Sequence, residues 1–539
     1  MSQLFAKKSL KVLLDEMAGD HRLRRVLGPV TLTALGIGAV IGAGIFVATG
    51  EAARNTAGPA LMLSYCVAGV TCIFAALCYA EFAAMAPVAG SAYAYAYTTM
   101  GELFAWIIGW DLVLEYAVGA ATVANGWSSY FKEVLPMFDL QVPESVAGAA
   151  IKYNKATGAF EWTNSYINLP AVLIVLLVTA VLVKGIRESA GFNALMVGIK
   201  VAAVLFVILV GAFYVNPANW QPFAPYGWTG VSFFGIHVHG QTTPKGEPMG
   251  VLAGAAIIFF AYIGFDSVST HAEEAKKPQR DVPIGIICSL VICTILYIAV
   301  VAVLTGMVRY DQIDANAGVS DAFRQAGLDR ARYLIAAAGV AGITSVLLVM
   351  LLSAPRVFLA MARDGLVPTK FFADVHPRFR TPWKSTIAIG LFVALMAGFL
   401  PIDALLHLTN IGTLFAFVVV CAAVLIMRRT NPNAERPFRC PFVPVVPLLG
   451  IGACLLLMFS LPAANWYRLI GWLAIGLVIY FFYGRHHSIL GKELRGELAT
   501  HGVSPAGMLH PTAEGPGKDG IVPGEARHGF THEPKDGGA

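Results

Sequence analysis

The stretch GIGAVIGAGIF, Gly36 to Phe46, lies inside the first long apolar segment and holds four glycines within nine residues: Gly36, Gly38, Gly42 and Gly44. Each glycine in a helix interior costs about 1 kcal/mol relative to alanine. Such a segment is weak as a continuous helix and makes sense as one built to break. Inside a membrane a break bares backbone N–H and C=O groups, which is tolerated only where they line a cavity or meet a ligand. The break is therefore expected to form half of a substrate site. The alternative is close helix packing through small residues four apart, as Gly38 and Gly42 are.

The rest of the chain asks for a bilayer. Of its 539 residues, 57% are hydrophobic and 13% charged, with mean hydropathy +0.67; a soluble domain carries about 25% charge. A span needs about 20 apolar residues. Twelve segments qualify, roughly 30–50, 60–86, 97–131, 169–187, 190–215, 250–270, 283–308, 331–361, 385–401, 403–428, 443–461 and 465–484. With the N-terminus in the cytoplasm, 27 of the 38 Lys and Arg fall on that side. This bias predicts an even number of spans and both ends cytoplasmic, in a plasma or inner membrane.

The mixed-charge segment 1–25 reads as a cytoplasmic extension without a cleavable signal peptide. Residues 26–486 form the membrane domain, interrupted by a polar extracytoplasmic loop at 132–168 with a short hairpin around Asn154–Gly158. The tail, 487–539, has too few apolar residues to build a core and is expected to be disordered. The net charge of +5 reflects the sidedness of the basic residues, so no nucleic-acid partner is implied. The eight cysteines form no CxxC pair. Neither a disulfide framework nor a metal site is expected. HExxH, nucleophile-elbow and P-loop patterns are missing, which argues against an enzyme. No protein-partner motif stands out.

The sixth segment repeats the theme of the first. It is apolar up to Phe265, carries Gly264, then meets Asp266 and Thr270 before a charged end. Two interrupted segments in corresponding positions of two five-span halves point to an inverted-repeat transporter. No residue-level repeat is visible, so the symmetry rests on position.

Five stretches carry a resemblance: RRVLGPVTLTALGIGAVIGAGIF at Arg24–Phe46, YAEFAAMAPVAGSAYAYAY at Tyr79–Tyr97, GWDLVLEYAVG at Gly109–Gly119, FFAYIGFDSVSTHAEEAKKPQRDVPIGI at Phe259–Ile286 and RVFLAMARDGLVP at Arg356–Pro368. In this order they resemble the amino acid/polyamine/organocation transporter superfamily, in particular the cationic amino acid transporters and their bacterial relatives. The resemblance implies an all-α polytopic fold of twelve transmembrane helices. Ten form a 5+5 inverted repeat with helices one and six broken, and two are added at the C-terminal end.

A zwitterionic amino acid carries an anion and a cation that must both be met without burying an unpaired charge. Broken helices do this with backbone alone, offering N–H groups at one half-helix start and carbonyls at another half-helix end. The resemblance implies that Ile41, Ala43 and Gly44 hold the carboxylate and that Phe260, Ala261 and Ile263 hold the ammonium. Phe260 would act as an aromatic lid. Glycine at Gly42 and Gly44 lets a substrate approach closely. Ala43 stands where many relatives carry Ser or Thr, so a hydroxyl contact is replaced by backbone alone.

Lys200 lies about ten residues, roughly 15 Å of helix, inside the fifth segment. A lysine that deep is expensive and marks function; snorkelling to the interface is the alternative. In proton-coupled members of the resembled family, a lysine in this span takes the place of a coupling cation. Protonated, it would bridge to carbonyls of the first span near Gly42 and to the eighth span at Thr344 and Ser345. No cofactor beyond this coupling proton is expected.

Asp111 and Glu115, four apart, share a helix face. Glu115 would carry protons or attract a cationic side chain, or else be an acid hydrogen-bonded between helices. Asp266 would tether the second half of span six. Val349, one turn beyond Ser345, would line the side-chain pocket, and its apolar character favours small neutral amino acids. Glu81 and the cluster Glu273–Glu274 to Arg280–Asp281 would form a closing gate or surface ion pairs.

The expected function is proton-coupled import of small neutral amino acids by alternating access. The alternatives are an exchanger of cationic amino acids or polyamines and, from another class, a membrane nutrient sensor or subunit of a heteromeric complex.

Overall fold

The computed structural model describes residues 3–9, 27–85, 91–154, 159–184, 190–244, 246–270, 272, 275–315, 317–379 and 381–497. Helix dominates. α1 (Pro29–Val40) opens with a proline at its first position, where a missing N–H costs nothing. It stops at Ile41, whose ψ of 107° has left the helical region. A π turn at Gly44–Ala48 resumes the helix, which runs on to Ala57. Next come α2 (Leu61–Met85), α3 (Ser91–Thr99), α4 (Glu102–Val134), α5 (Leu169–Lys184) and α6 (Ala190–Gly211).

The second break follows. α7 (Val251–Ile258) tightens into a 3-10 turn at Phe259–Tyr262 and ends at Ile263, and a single helical turn, Ser267–Thr270, comes after it. Gly264 joins the two with φ +120°, a conformation that excludes most side chains. The remaining long helices are α8 (Pro278–Met307), α9 (Asp329–Arg363), α10 (Trp383–Phe399), α11 (Ile402–Thr430), α12 (Val445–Met458) and α13 (Ala463–Ile479).

Among the described residues, eight helical stretches are long and apolar enough to cross a membrane, and four shorter apolar helices (α1, α5, α10 and α12) accompany them. The 17 residues of α10 rise about 25 Å, slightly less than a hydrocarbon core of roughly 30 Å. Outward stripes identify the surrounding solvent. Leu173 and Leu177 on α5, and Leu391 and Leu395 on α10, are each more than half exposed at four-residue spacing. Lipid covers such a stripe at no cost, and water does not.

The packing separates two groups. α8 lies along α1 and α2, and α2 also packs on α7; α4 lies along α9, and α5 along α10. α6 contacts α9, and α11 contacts α4. The core between these groups is filled by small and aromatic residues, including the fully buried Tyr65, Tyr79, Tyr130 and Tyr297.

Four expectations change. The third span does not begin at 97: α3 and α4 are separate helices that meet at Gly101, whose φ of +108° turns the chain. The fold is not helical throughout. β1 (Ile151–Asn154) pairs antiparallel with β2 (Ala159–Trp162) at the expected hairpin. A second non-membrane segment, 212–250, holds two more hairpins, β3 (Val231–Phe233) with β4 (Ile236–His239) and β5 (Gln241–Thr242) with β6 (Pro248–Met249). Glycines at 227, 230, 235, 240, 246 and 250 all take positive φ there, a turn-rich pattern that hydropathy does not score. The start of the tail is also structured. Ile489–Leu494 is helical and capped by Ser488, whose hydroxyl accepts from Gly491 N–H at 3.0 Å. Residues 498–539, together with 1–2, 10–26 and Glu273–Glu274, lie outside the described residues.

Candidate functional site

The two breaks touch. A Cβ on Gly44 would overlap the backbone of Ala261, so glycine there allows the two chains to meet. On the other side, a Cβ on Gly264 would lie 2.8 Å from Ala39 O, and one on Gly36 would lie 2.5 Å from Ser289 Oγ. Close backbone approach is thus what the glycines supply at both crossings.

The hydrogen bonds at the crossing are specific. Lys200 Nζ donates to Gly38 O at 2.5 Å, and the lysine stem lies over Gly342 of α9. The hydroxyl of Tyr297, on α8, lies 2.8 Å from Val40 O and 3.1 Å from Ala261 O. It has one hydrogen, so it serves one of these two carbonyls at a time. Asn410 of α11 donates to Ala256 O at 2.9 Å and Ile257 O at 2.8 Å, capping the end of α7. Tyr130 of α4 donates to Phe46 O at 2.7 Å. The bonds from Lys200 and Tyr297 meet carbonyls in the last turns before the breaks, where a helix leaves C=O groups without an internal partner.

The residues expected to bind substrate are brought together at this crossing. Ile41, Ala43, Phe260, Ala261 and Ile263 are all buried. Ile41 N–H donates to Ile37 O at 2.9 Å and Phe260 O accepts from Ile263 N–H at 3.3 Å, so those two groups are occupied within their own turns. Gly42 faces α9: a Cβ there would lie 2.5 Å from Val346 Cγ2. Val346 is therefore the α9 side chain against Gly42; Val349 is half-buried and its carbonyl accepts from Ser353.

Thr344 accepts from Trp127 Nε1 at 2.9 Å and donates to Val340 O. Ser345 donates to Gly342 O at 3.3 Å. The hydrogen bond of Lys200 goes to the first break rather than to these hydroxyls.

The acids separate into three settings. Asp266 caps the second break, accepting from Gly264 N–H at 3.2 Å and from Tyr116 of α4 at 2.8 Å. Asp111 and Glu115 are buried, and among the described residues their carboxyl oxygens meet no donor of good geometry. They line a small cavity of about 10 Å³ with Thr409 and Gly412 of α11 and Leu469 of α13. That is space for about one water, the usual way an isolated buried polar group is satisfied. Glu81 is fully engaged. It takes Arg428 at 2.9 and 2.7 Å, lies 3.2 Å from Arg436 Nε, and accepts from Cys440 N–H at 2.8 Å. It thereby ties α2 to the end of α11 and the loop beyond it.

Two buried backbones cross at their breaks, and a buried lysine donates to a carbonyl in the last turn before the first of them. Comparison with known proteins gives the chain a family. A family model described as amino acid permease matches residues 27–482. The chain belongs to that family, within the amino acid/polyamine/organocation superfamily. It is similar to the methylthioribose transporter of Bacillus subtilis (strain 168), 45% identical over 492 residues that cover 91% of this chain and 100% of the relative. It is equally similar, 45% over 490 residues, to the branched-chain amino acid permease BcaP of the same organism, covering 91% and 99%. The vacuolar cationic amino acid transporter 4 of Arabidopsis thaliana is 32% identical, covering 92% and 97%. The permease family fits the multi-pass helical membrane architecture.

Sequence reasoning missed Tyr297, Asn410, Trp127, Tyr130 and Val346. All five sit in apolar helices, where an aromatic, a valine or a lone amide reads as ordinary core. Asn410 was the one available signal, since an amide in the middle of an apolar helix needs a partner.

Proposed function

We propose that this permease imports small neutral amino acids together with a proton, by rocking the group around α1, α2, α7 and α8 against the group around α4, α5, α9 and α10. The observation that carries the reading is the contact of the two breaks with Lys200 bonded to Gly38 O. Parting the breaks frees N–H groups at the start of the Gly44 turn for a carboxylate and carbonyls at Ala261 and Ile263 for an ammonium, to which Phe260 O, already held by Ile263 N–H, adds its second lone pair. Tyr297, which shares one hydrogen between the two breaks, gives way to that ammonium at Ala261 O. Loss of the Lys200 proton removes the charge that strengthens its bond to Gly38 O and loosens α6 from the first break.

The matched neighbours support the twelve-helix inverted repeat. The first break packs on α8 as α7 packs on α2, and α6 packs on α9 as α11 packs on α4. Each pair is what a two-fold operation relating the first five spans to the next five would generate.

An apolar wall at Val346, with no acid beside it on α9, favours a neutral side chain over a cationic one. Methylthioribose, the substrate named for one relative, has neither carboxylate nor ammonium and would leave both freed backbone sets without their charges.

The test is uptake into proteoliposomes under an imposed inward proton gradient, with labelled leucine, alanine, lysine and methylthioribose. Accumulation of leucine or alanine, competed by other small neutral amino acids, is expected. Saturable lysine uptake would move the assignment to the cationic class, and methylthioribose uptake without leucine uptake would remove the zwitterion site.

A further inference from the structure

A groove of about 310 Å³ lies between the first turns of α8 and the loop that follows α11. Its volume is at the lower end of ligand pockets, which span about 300–1,000 Å³. One wall is a single helix face, Arg280, Ile284, Ile287 and Cys288, at spacings of three, four and eight residues. The other wall is Pro437 and Phe438.

The polarity of the groove runs along the helix. Arg280 is exposed at the outer end, the aliphatic residues lie deeper, and Lys276, Lys277 and Arg439 are exposed close by in sequence. Asp281 is turned inward, where it accepts Lys277 N–H at 3.1 Å, and Glu435 is the exposed acid on the facing loop. Among the described residues, exposed cations therefore outnumber exposed acids at this end.

The groove also continues into the bilayer. Val291, Ile292 and Ile295, one and two turns beyond Cys288, are 38, 39 and 62% exposed. They extend the same apolar stripe along the lipid-facing side of α8. A cationic rim at the membrane surface, an apolar slot beneath it and a lateral opening onto hydrocarbon have the layout of a phospholipid. Basic pockets between helices at a membrane face bind anionic head groups on this principle.

We propose that this groove binds one anionic glycerophospholipid of the adjacent leaflet, its phosphate on Arg280 and one acyl chain between Ile284, Ile287 and Phe438. The lipid would brace the start of α8, which packs on the first break through Ser289 against Gly36, against the loop that carries Arg436 and Cys440. A soluble peptide is disfavoured because the slot opens sideways onto the stripe at Val291 and Ile295.

The experiment is native mass spectrometry of the full chain in detergent, titrated with phosphatidylglycerol, phosphatidylcholine or glycerol 3-phosphate. Arg280→Gln should weaken phosphatidylglycerol retention about fivefold, the worth of one near-surface cation, and weaken the already lower phosphatidylcholine retention by less. Ile284→Trp, which fills the slot, should remove the tightly held lipid, and Leu177→Trp, on a lipid-facing stripe elsewhere, should not. Arg280 is exposed, so its variant keeps the test decisive if Ile284→Trp fails to fold. Equal retention of the two lipids, no effect of Arg280→Gln, or displacement of the lipid by glycerol 3-phosphate alone would each overturn the proposal.

Discussion

The ammonium nitrogen of Lys200 lies 2.5 Å from the carbonyl oxygen of Gly38, one helix turn before the first break. A lysine can lose its proton and with it the charge that strengthens this bond; an arginine cannot, because it stays charged at all accessible pH. Lys200→Arg is therefore expected to fold, yet to lose proton-driven accumulation of substrate by at least about tenfold, a change of about 1.4 kcal/mol in the coupled step. Uptake in proteoliposomes, with thermal stability as the folding control, checks this.

Gly44 meets the backbone of Ala261 so closely that a methyl group cannot be placed between them. Gly44→Ala should hold the breaks apart, costing about 1–3 kcal/mol as overpacking. Thermal unfolding in detergent should show a lower midpoint, with uptake lost. Gly198, whose Cβ position is open, serves as the comparison; Gly198→Ala should be neutral or slightly stabilising because alanine favours helix.

Asn410 donates to both Ala256 O and Ile257 O. Asn410→Leu keeps the branched shape but removes both donations to the end of α7, at about 1–3 kcal/mol. A fall in thermal midpoint larger than that of Thr413→Val, one turn away, is expected. Equal effects would assign Asn410 to packing alone.

Glu81 sits between Arg428 and Arg436, and Glu81→Gln leaves their positive charge without a counter-ion. Because Arg436 is nearly fully buried while Arg428 retains about a quarter of its side-chain exposure, the loss should fall near the lower end of the roughly 3–5 kcal/mol seen when a buried pair is broken. Glu81→Asp, which keeps the charge, should recover part of it in the same unfolding assay.

Much of this site was legible because it depends on local sequence. Clustered glycines at 36–44 and the pairing of Gly264 with Asp266 mark chain that cannot remain helical, and a lysine ten residues into an apolar helix marks a buried cation that needs an acceptor. What stayed hidden depends on chain segments far apart. Tyr297 and Val40 are 257 positions apart, and Asn410 and Ala256 are 154 apart; nothing local to either residue reveals the partner. The choice of Gly38 as the acceptor of Lys200, and of Val346 as the side chain against Gly42, follows from helix rotation, which hydropathy does not encode. The hairpins at 231–249 were missed for a different reason. They are short and turn-rich, and six positive-φ glycines space them, so they carry little alternating pattern.

Whether substrate entry is tied to a proton through Lys200 is decided by trapping a pH-sensitive dye inside proteoliposomes with no imposed gradient and adding a transported neutral amino acid outside. Acidification of the interior in step with labelled substrate uptake is expected, as is its loss in Lys200→Ala. Substrate entry with no change in internal pH, or acidification that survives in Lys200→Ala, would contradict coupling through Lys200.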